Sequence, residues 1–123
     1  MIVGKFKKDN SLSKRQIESS RIVNKYPDRI PIIVEVSCKN NEIALDKYKY
    51  LVPHDLVLSQ FIFVIRKRIK LSPETALFIL INNTMQAATS TMGMIYKEHK
   101  DKDGFLYAVI SLENTFGNKQ KNE

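Results

Sequence analysis

Apolar residues in the middle of the chain recur at the spacing of an α-helix. Phe61, Ile62, Ile65 and Ile69 fall on one face of a helix that we predict over residues 58–71. Basic residues lie between them and face outward. This is the pattern of a helix that packs one face on a core and leaves the other in water.

Short apolar runs predict the strands of a sheet. We predict strands over residues 30–36, 76–81 and 105–112, because each is an apolar run bounded by polar or turn-forming residues. A further strand over residues 47–52 stops at Pro53, which has no backbone N–H to donate to a sheet.

Three other segments favour helices. Residues 1–10 are typical of a short helical or irregular segment, and a basic helix follows over residues 12–25. Pro27 ends that helix, because a proline disfavours the α conformation in the residue before it. A short helix runs from Thr91 to about His99. The order helix, helix, strand, strand, helix, strand, helix, strand permits an α+β, β-grasp topology without requiring it.

Composition places the chain among soluble, single-domain proteins. Its 123 residues fit one compact domain, and 43% hydrophobic and 27% charged residues are ordinary values. No apolar run is long enough to span a bilayer, and residues 1–9 hold no apolar core of signal-peptide length. We therefore expect a cytoplasmic protein.

The sequence offers no convincing catalytic set. His54 and His99 lack metal-ligand spacing with each other or with Cys38, which is the only cysteine. No glycine-rich phosphate loop is present. We expect a protein that is not an enzyme and that binds neither a metal nor a cofactor.

The formal net charge of +7 leaves several partners open. A solvated basic face, acidic peptides, anionic lipid headgroups and nucleic acid all fit this charge. The chain has no RNA-binding aromatic signature and no zinc-finger spacing, so we expect no nucleic acid.

One stretch carries more information than the composition. The residues KYPDRIPIIVE, from Lys25 to Glu35, resemble the signature of the ubiquitin-like autophagy modifiers, the GABARAP and light-chain-three family. The resemblance covers about residues 12–117. Further matching motifs follow in order: Lys14-Arg15, Glu18, Ile22, Asp46-Lys47, Lys49-Tyr50-Leu51-Val52-Pro53, Gln60-Phe61, Ile65-Arg66-Lys67-Arg68-Ile69, Ala76-Leu77-Phe78, Asn82-Asn83, Thr91-Met92-Gly93, Tyr96-Lys97-Glu98-His99, Phe105-Leu106-Tyr107 and Phe116-Gly117.

The resemblance implies a ubiquitin-like β-grasp with a four-stranded sheet and two additional N-terminal helices. It divides the chain into a helical extension over residues 1–27, a β-grasp domain over residues 28–117 and a disordered tail over residues 118–123.

The resemblance also implies processing at Gly117, with Phe116 as an aromatic anchor before it. In the family a cysteine peptidase cuts after this glycine. Activating and conjugating enzymes then pass the new carboxylate, as a thioester, to phosphatidylethanolamine. We expect removal of residues 118–123 and a covalent lipid, with the protein on the autophagosomal membrane once it is lipidated. By residue type alone, Gly117 could simply end a strand.

The family binds aromatic-x-x-aliphatic motifs of cargo receptors in two apolar pockets. The resemblance assigns the first pocket to Glu18, Ile22, Pro31, Ile33, Lys49, Leu51 and Phe105, the second pocket to Tyr50, Val52, Pro53, Leu56, Phe61 and Val64, and recognition of acidic residues to Arg29, Lys47 and Lys49. By residue type alone, several of these side chains could be ordinary core. An alternative function is an unconjugated peptide-binding adaptor for vesicle trafficking or cytoskeleton attachment.

Overall fold

The computed structural model describes residues 1–37 and 45–114. In chain order the elements are α1 (Lys5–Asp9), α2 (Leu12–Lys25), β1 (Arg29–Val36), β2 (Lys49–Pro53), α3 (Leu58–Ile69), β3 (Thr75–Ile81), β4 (Thr84–Met85), α4 (Met92–His99) and β5 (Leu106–Asn114). The α+β class and the β-grasp arrangement with two additional N-terminal helices are confirmed.

The sheet has the order β2-β1-β5-β3-β4. The two central strands, β1 and β5, are parallel, and the other pairs are antiparallel. The described residues form a sheet of five strands, so the predicted count of four is wrong. Asn82 and Asn83 both have positive φ, at 52° and 61°, which is the geometry of a tight hairpin turn. The chain therefore folds back, and Thr84–Met85 pairs with the end of β3.

Helices α2 and α3 satisfy their first N–H groups with different hydrogen bonds. Ser11 Oγ accepts from the N–H of Lys14 at the start of α2. Helix α3 starts differently, because Val57 at its N-cap has no side-chain acceptor. Instead the N–H groups of Leu58 and Ser59 donate to carbonyls of the loop before α4, at 2.9 and 3.1 Å. This loop therefore fixes the start of α3.

The main core lies between the sheet and α3. Strand β1 is buried at every residue after Arg29, so both faces of the sheet are covered there. Side chains on one face pack against Phe61 and Ile65 of α3. The opposite face carries a smaller cluster built on Phe6, Ile33 and Phe105.

The N-terminal segment holds α1 against that second face. Ile2 forms a parallel bridge with Val36, and the N–H of Val36 donates to the carbonyl of Met1 at 2.7 Å. The N–H of Gly4 donates to the Glu35 carboxylate at 3.2 Å. Residues before α1 therefore pair with the last residues of β1, which extend past the part of β1 that pairs with β2. The predicted boundary of the helical extension at residue 27 stays a prediction.

Candidate functional site

Strand β2 forms one edge of the sheet. It pairs with β1 on one side, and among residues 1–37 and 45–114 no strand pairs with its other side. An edge strand presents unpaired N–H and C=O groups that can bind a further extended segment. The structure thus provides a place where a peptide could add to the sheet.

The register divides the two predicted pockets between opposite faces of this edge. Ile33 lies opposite Lys49, and Pro31 lies opposite Leu51. Successive side chains of a strand point to opposite faces. Tyr50 and Val52, with their partners on β1, therefore face the other way. We call the first side the α2 face and the second the α3 face.

The first predicted pocket is assembled on the α2 face. Ile33 and Phe105 are fully buried and form its floor, whereas Ile22 and Leu51 are half-buried. Pro31 is buried beside them. Lys49 Nζ lies 2.7 Å from Glu18 Oε2, so an ion pair connects β2 with α2. The residues predicted for the first pocket therefore lie together where α2 meets the strand edge.

Sequence reasoning missed two aromatic residues of this face. Phe6 of α1 is buried and packs edge-on against Phe105, with ring centroids 5.6 Å apart. The ring of Tyr48 packs against that of Phe6, with centroids 6.2 Å apart, and Lys49 Nζ lies over both rings. Of the two, Phe6 has a signal in the sequence, because it is a single aromatic residue among lysines near the start of the chain.

The second predicted pocket lies on the α3 face and is mostly core. Tyr50, Val52 and Phe61 are buried, and the rings of Tyr50 and Phe61 meet edge-on at 5.7 Å. Burial raises the pKa of Tyr50, so its hydroxyl stays neutral. The core interpretation from residue type thus holds for Phe61, and Tyr50 and Val52 belong to the same core.

The accessible members of the second set lie at its rim. Val64 follows Phe61 by one helical turn and is 43% exposed, so it projects outward from the same side of α3. Pro53 is exposed and Leu56 is half-buried. A ligand on this face would meet these three side chains above the buried ones.

Cations surround the strand edge. Arg29 and Lys47 are exposed, and neither lies within ion-pair distance of a carboxylate of the described chain. Lys47 Nζ instead lies 4.7 Å from the centre of the Tyr50 ring. A groove of about 250 Å³ adjoins the first set, with a lining that includes Lys14, Arg21 and the Lys49–Glu18 pair. The edge is therefore suited to a ligand that carries acidic residues.

The predicted processing residues, Phe116 and Gly117, lie outside the described residues, as do Cys38 and residues 118–123. Within residues 1–37 and 45–114, none of the helices has the length and apolarity that a membrane crossing requires. In the same part of the chain, no group of three His, Cys, Asp or Glu side chains could hold a metal ion.

Comparison with known proteins agrees with the fold and the sequence motifs. The family described as "Autophagy protein Atg8 ubiquitin like" matches residues 14–117. Autophagy-related protein 8d of Arabidopsis thaliana is 54% identical over 117 residues, covering 95% of this chain and 98% of that protein. Autophagy-related protein 8 of Schizosaccharomyces pombe is 57% identical over 112 residues, covering 91% and 93%.

A solved structure gives the same result. The crystal structure of Trypanosoma brucei ATG8 superposes with a TM-score of 0.82 at 43% identity, covering 93% of this chain and 98% of that one. Sequence and fold therefore agree over almost the whole length. The chain belongs to the Atg8 family of ubiquitin-like autophagy proteins.

Proposed function

We propose that this protein is a ubiquitin-like modifier that is joined through Gly117 to phosphatidylethanolamine on autophagosomal membranes. There it recruits cargo receptors and autophagy machinery that carry aromatic-x-x-aliphatic motifs. The observation that carries the peptide-binding part is the open edge of β2, with one pocket set on each of its faces.

The motif spacing fits this edge for a geometric reason. In an extended peptide, side chains three positions apart point to opposite faces, because the strand period is two. A peptide that adds to β2 would direct its aromatic side chain to the α2 face and its aliphatic side chain to the α3 face. Backbone pairing supplies affinity, and the two anchors supply specificity.

Exposed cations would favour motifs with acidic residues nearby. Arg29, Lys47 and the basic side chains of α2 surround the edge, and the chain carries a net charge of +7. Each exposed ion pair contributes only about 0–1 kcal/mol. The charges therefore mainly increase the rate of association, while the apolar anchors determine affinity.

Conjugation is supported by the family match, which extends to residue 117. Hydrolysis after Gly117 would release residues 118–123 and leave a free glycine carboxylate. An activating enzyme would convert that carboxylate to an acyl adenylate at the expense of a nucleoside triphosphate, and a cysteine thiolate of the enzyme would displace the nucleotide to form a thioester. The amine of the lipid would then displace the thiolate to form an amide. The two acyl chains then hold the protein firmly on the membrane.

Peptide titration with a matched pair of variants tests the second predicted pocket. We expect Val64→Ala to weaken binding of an acidic Trp-x-x-Leu peptide by about three- to tenfold, since it removes apolar surface that the bound peptide would cover. Phe63→Ala, its neighbour outside the predicted set, should leave the affinity unchanged although Phe63 is 60% exposed. Lys47→Ala should cost at most about fivefold. Equal losses for Val64→Ala and Phe63→Ala would contradict the assignment.

Strand addition has its own test. A peptide with an N-methyl group on the amide that pairs with β2 keeps both anchors but loses a backbone hydrogen bond. We expect it to bind more weakly than the same peptide methylated at the neighbouring amide, which points away from the strand. Equal affinities would exclude strand addition.

Mass analysis tests conjugation separately. Protein recovered from starved cells should lack residues 118–123 and carry a phospholipid, and the Gly117→Ala variant should show neither change. If the Gly117→Ala protein keeps its tail and still co-fractionates with membranes, the unconjugated adaptor would be the better description.

A further inference from the structure

A buried ion pair connects α2 with the segment that leads into β5. Arg15 Nη1 lies 2.6 Å from Asp103 Oδ2, and the two side chains are 9% and 0% exposed. The partners are 88 positions apart in the sequence. The peptide-binding proposal makes no use of either residue.

The surrounding groups add further hydrogen bonds to this pair. Asp103 Oδ1 accepts from the N–H of Phe105 at 2.8 Å, and Asp103 Oδ2 also accepts from the Tyr107 hydroxyl at 2.5 Å. Arg15 Nε donates to the carbonyl of Asn10 at 3.0 Å. Burial alone would lower the pKa of Arg15, but its hydrogen bonds to Asp103 and Tyr107 raise it, so the guanidinium stays charged.

A second set of contacts draws α2 close to the same segment. Ser19 Oγ donates to the carbonyl of Asp103, and Gln16 Nε2 donates to the carbonyl of Lys102. Gly104 has a φ of 93°, and a Cβ at this position would lie 2.3 Å from Ser19 Oγ. A side chain at position 104 would force Ser19 to shift and would also be strained by the positive φ, so glycine allows this close approach of α2.

These contacts act on both walls of the first predicted pocket. Glu18 and Ile22 lie on α2, on either side of Ser19, and Phe105 directly follows Gly104. We propose that Arg15, Ser19, Asp103 and Gly104 are positioning residues, which we call the latch, and that they set the width of the gap receiving the aromatic anchor. This inference rests on the proposed peptide-binding function.

The chemistry of the latch favours positioning over simple stabilisation. Replacing a buried ion pair by well-packed apolar residues is often neutral or stabilising, because both charges must lose their water. Apolar contacts, however, would let α2 slide. The Asp103 carboxylate accepts hydrogen bonds from Arg15, Phe105 and Tyr107, and these directional bonds fix the position of Arg15 and so of α2.

Three peptides separate the two pockets in one experiment. The Kd for Ala-x-x-Leu divided by the Kd for Trp-x-x-Leu gives the first-pocket factor. The Kd for Trp-x-x-Ala divided by the Kd for Trp-x-x-Leu gives the second-pocket factor. We expect Arg15→Ala to reduce the first-pocket factor by about three- to tenfold, within the range of coupling between residues of one network. The second-pocket factor should stay unchanged.

Two further variants provide the milder case and the control. Tyr107→Phe removes one hydroxyl donor to Asp103 without removing the ring, so we expect a smaller loss of the first-pocket factor in a folded protein. Lys5→Ala removes an exposed ion pair with Asp9 on α1, outside the latch, and should leave both factors unchanged. Circular dichroism identifies any variant that does not fold.

The outcomes distinguish the latch from the function on which it rests. An unchanged first-pocket factor in folded Arg15→Ala and Tyr107→Phe would overturn the latch, and so would an equal loss of both factors. If the unchanged protein discriminates none of the three peptides, the peptide-binding function itself is overturned, and the latch loses its role with it. If Arg15→Ala does not fold, Tyr107→Phe alone decides the question.

Discussion

Different kinds of interaction stabilise the two faces of the β1–β2 pair. On the α3 face, Ile30, Ile32, Tyr50 and Val52 pack into a continuous apolar core against Phe61. Among the described residues, the cluster on the α2 face contains three buried apolar side chains, and ion pairs and hydrogen bonds surround it. Apolar burial is non-directional and roughly proportional to area, whereas ion pairs and hydrogen bonds depend on geometry. The α3 face should therefore dominate stability, and the α2 face should fix position.

The largest expected change in the free energy of unfolding comes from a substitution on the α3 face. Phe61→Ala should lower the free energy of unfolding by about 3–5 kcal/mol, because Phe61 is fully buried and its removal leaves a cavity. Phe63→Ala is the matched control on the same helix, and it should change the free energy by about 0.5 kcal/mol or less. Chemical denaturation measures both. Similar losses for the two variants would contradict the burial pattern.

A smaller loss is expected on the α2 face. Phe6→Ala removes an equally buried ring, but this ring belongs to a small cluster under a five-residue helix near the chain end. That helix can separate without unfolding the sheet, so we expect a loss of about 1–3 kcal/mol. Hydrogen exchange should show the loss at α1 before α3. A cost equal to that of Phe61→Ala would mean that the two faces unfold together.

The contrast between the faces also explains what could be predicted from the sequence. The helical spacing of Phe61, Ile65 and Ile69 predicted α3 to within two residues of its observed end, because an apolar stripe is a local signal. The fifth strand was missed, since Thr84–Met85 is too short to show alternation.

The site divides in the same way. The strand predicted over residues 47–52 implies that Leu51 and Val52 point to opposite sides, and the register of β2 agrees, because strand period is a local property. The Arg15–Asp103 pair joins residues far apart in the chain, and no periodicity relates them. The assignment of residues to pockets came from the family resemblance, and their roles in ligand binding stay predictions.

The pH dependence of stability gives a further test of the environment on the α2 face. Glu35 is 3% exposed on the α2 face, and burial raises its pKa above the ordinary value of 4.5, although the N–H groups of Gly4 and Phe6 and the charge of Lys7 oppose this. The folded protein then binds more protons than the unfolded chain just above pH 4.5. Stability should therefore fall as pH rises through this window. Glu35→Gln should lack this decline, which denaturation from pH 4 to pH 7 would show.

Asp101 should change stability in the opposite direction when the denaturation series is extended below pH 3.8. Burial alone would raise its pKa, but the Lys7 ammonium and the N–H of Asp103 lower it below the ordinary value of 3.8. Its contribution is therefore fully present above pH 3.8 and is lost as pH falls through the lowered pKa. The advantage of the unchanged protein over Asp101→Asn should shrink on acidification. A shared sign for the two residues would contradict the assigned environments.

The smallest expected effects compare two lysines of α1. Lys5 pairs with Asp9 at 2.9 Å on an exposed helix face, and such a pair contributes about 0.3–0.5 kcal/mol. Lys7 pairs with Asp101 at 2.6 Å and also lies 4.8 Å from the centre of the Tyr107 ring. It therefore connects α1 to the sheet as well as to the loop before β5.

Lys7→Ala should for this reason cost more than Lys5→Ala, at about 1 kcal/mol. Denaturation of Lys7→Ala, Asp101→Ala and the double variant gives the coupling energy of the pair. Salt should reduce the small effect of Lys5→Ala almost to zero, since exposed charges are screened, and reduce that of Lys7→Ala less. Equal costs and equal salt sensitivity would show that the polar contacts of the α2 face are no stronger than an isolated surface ion pair.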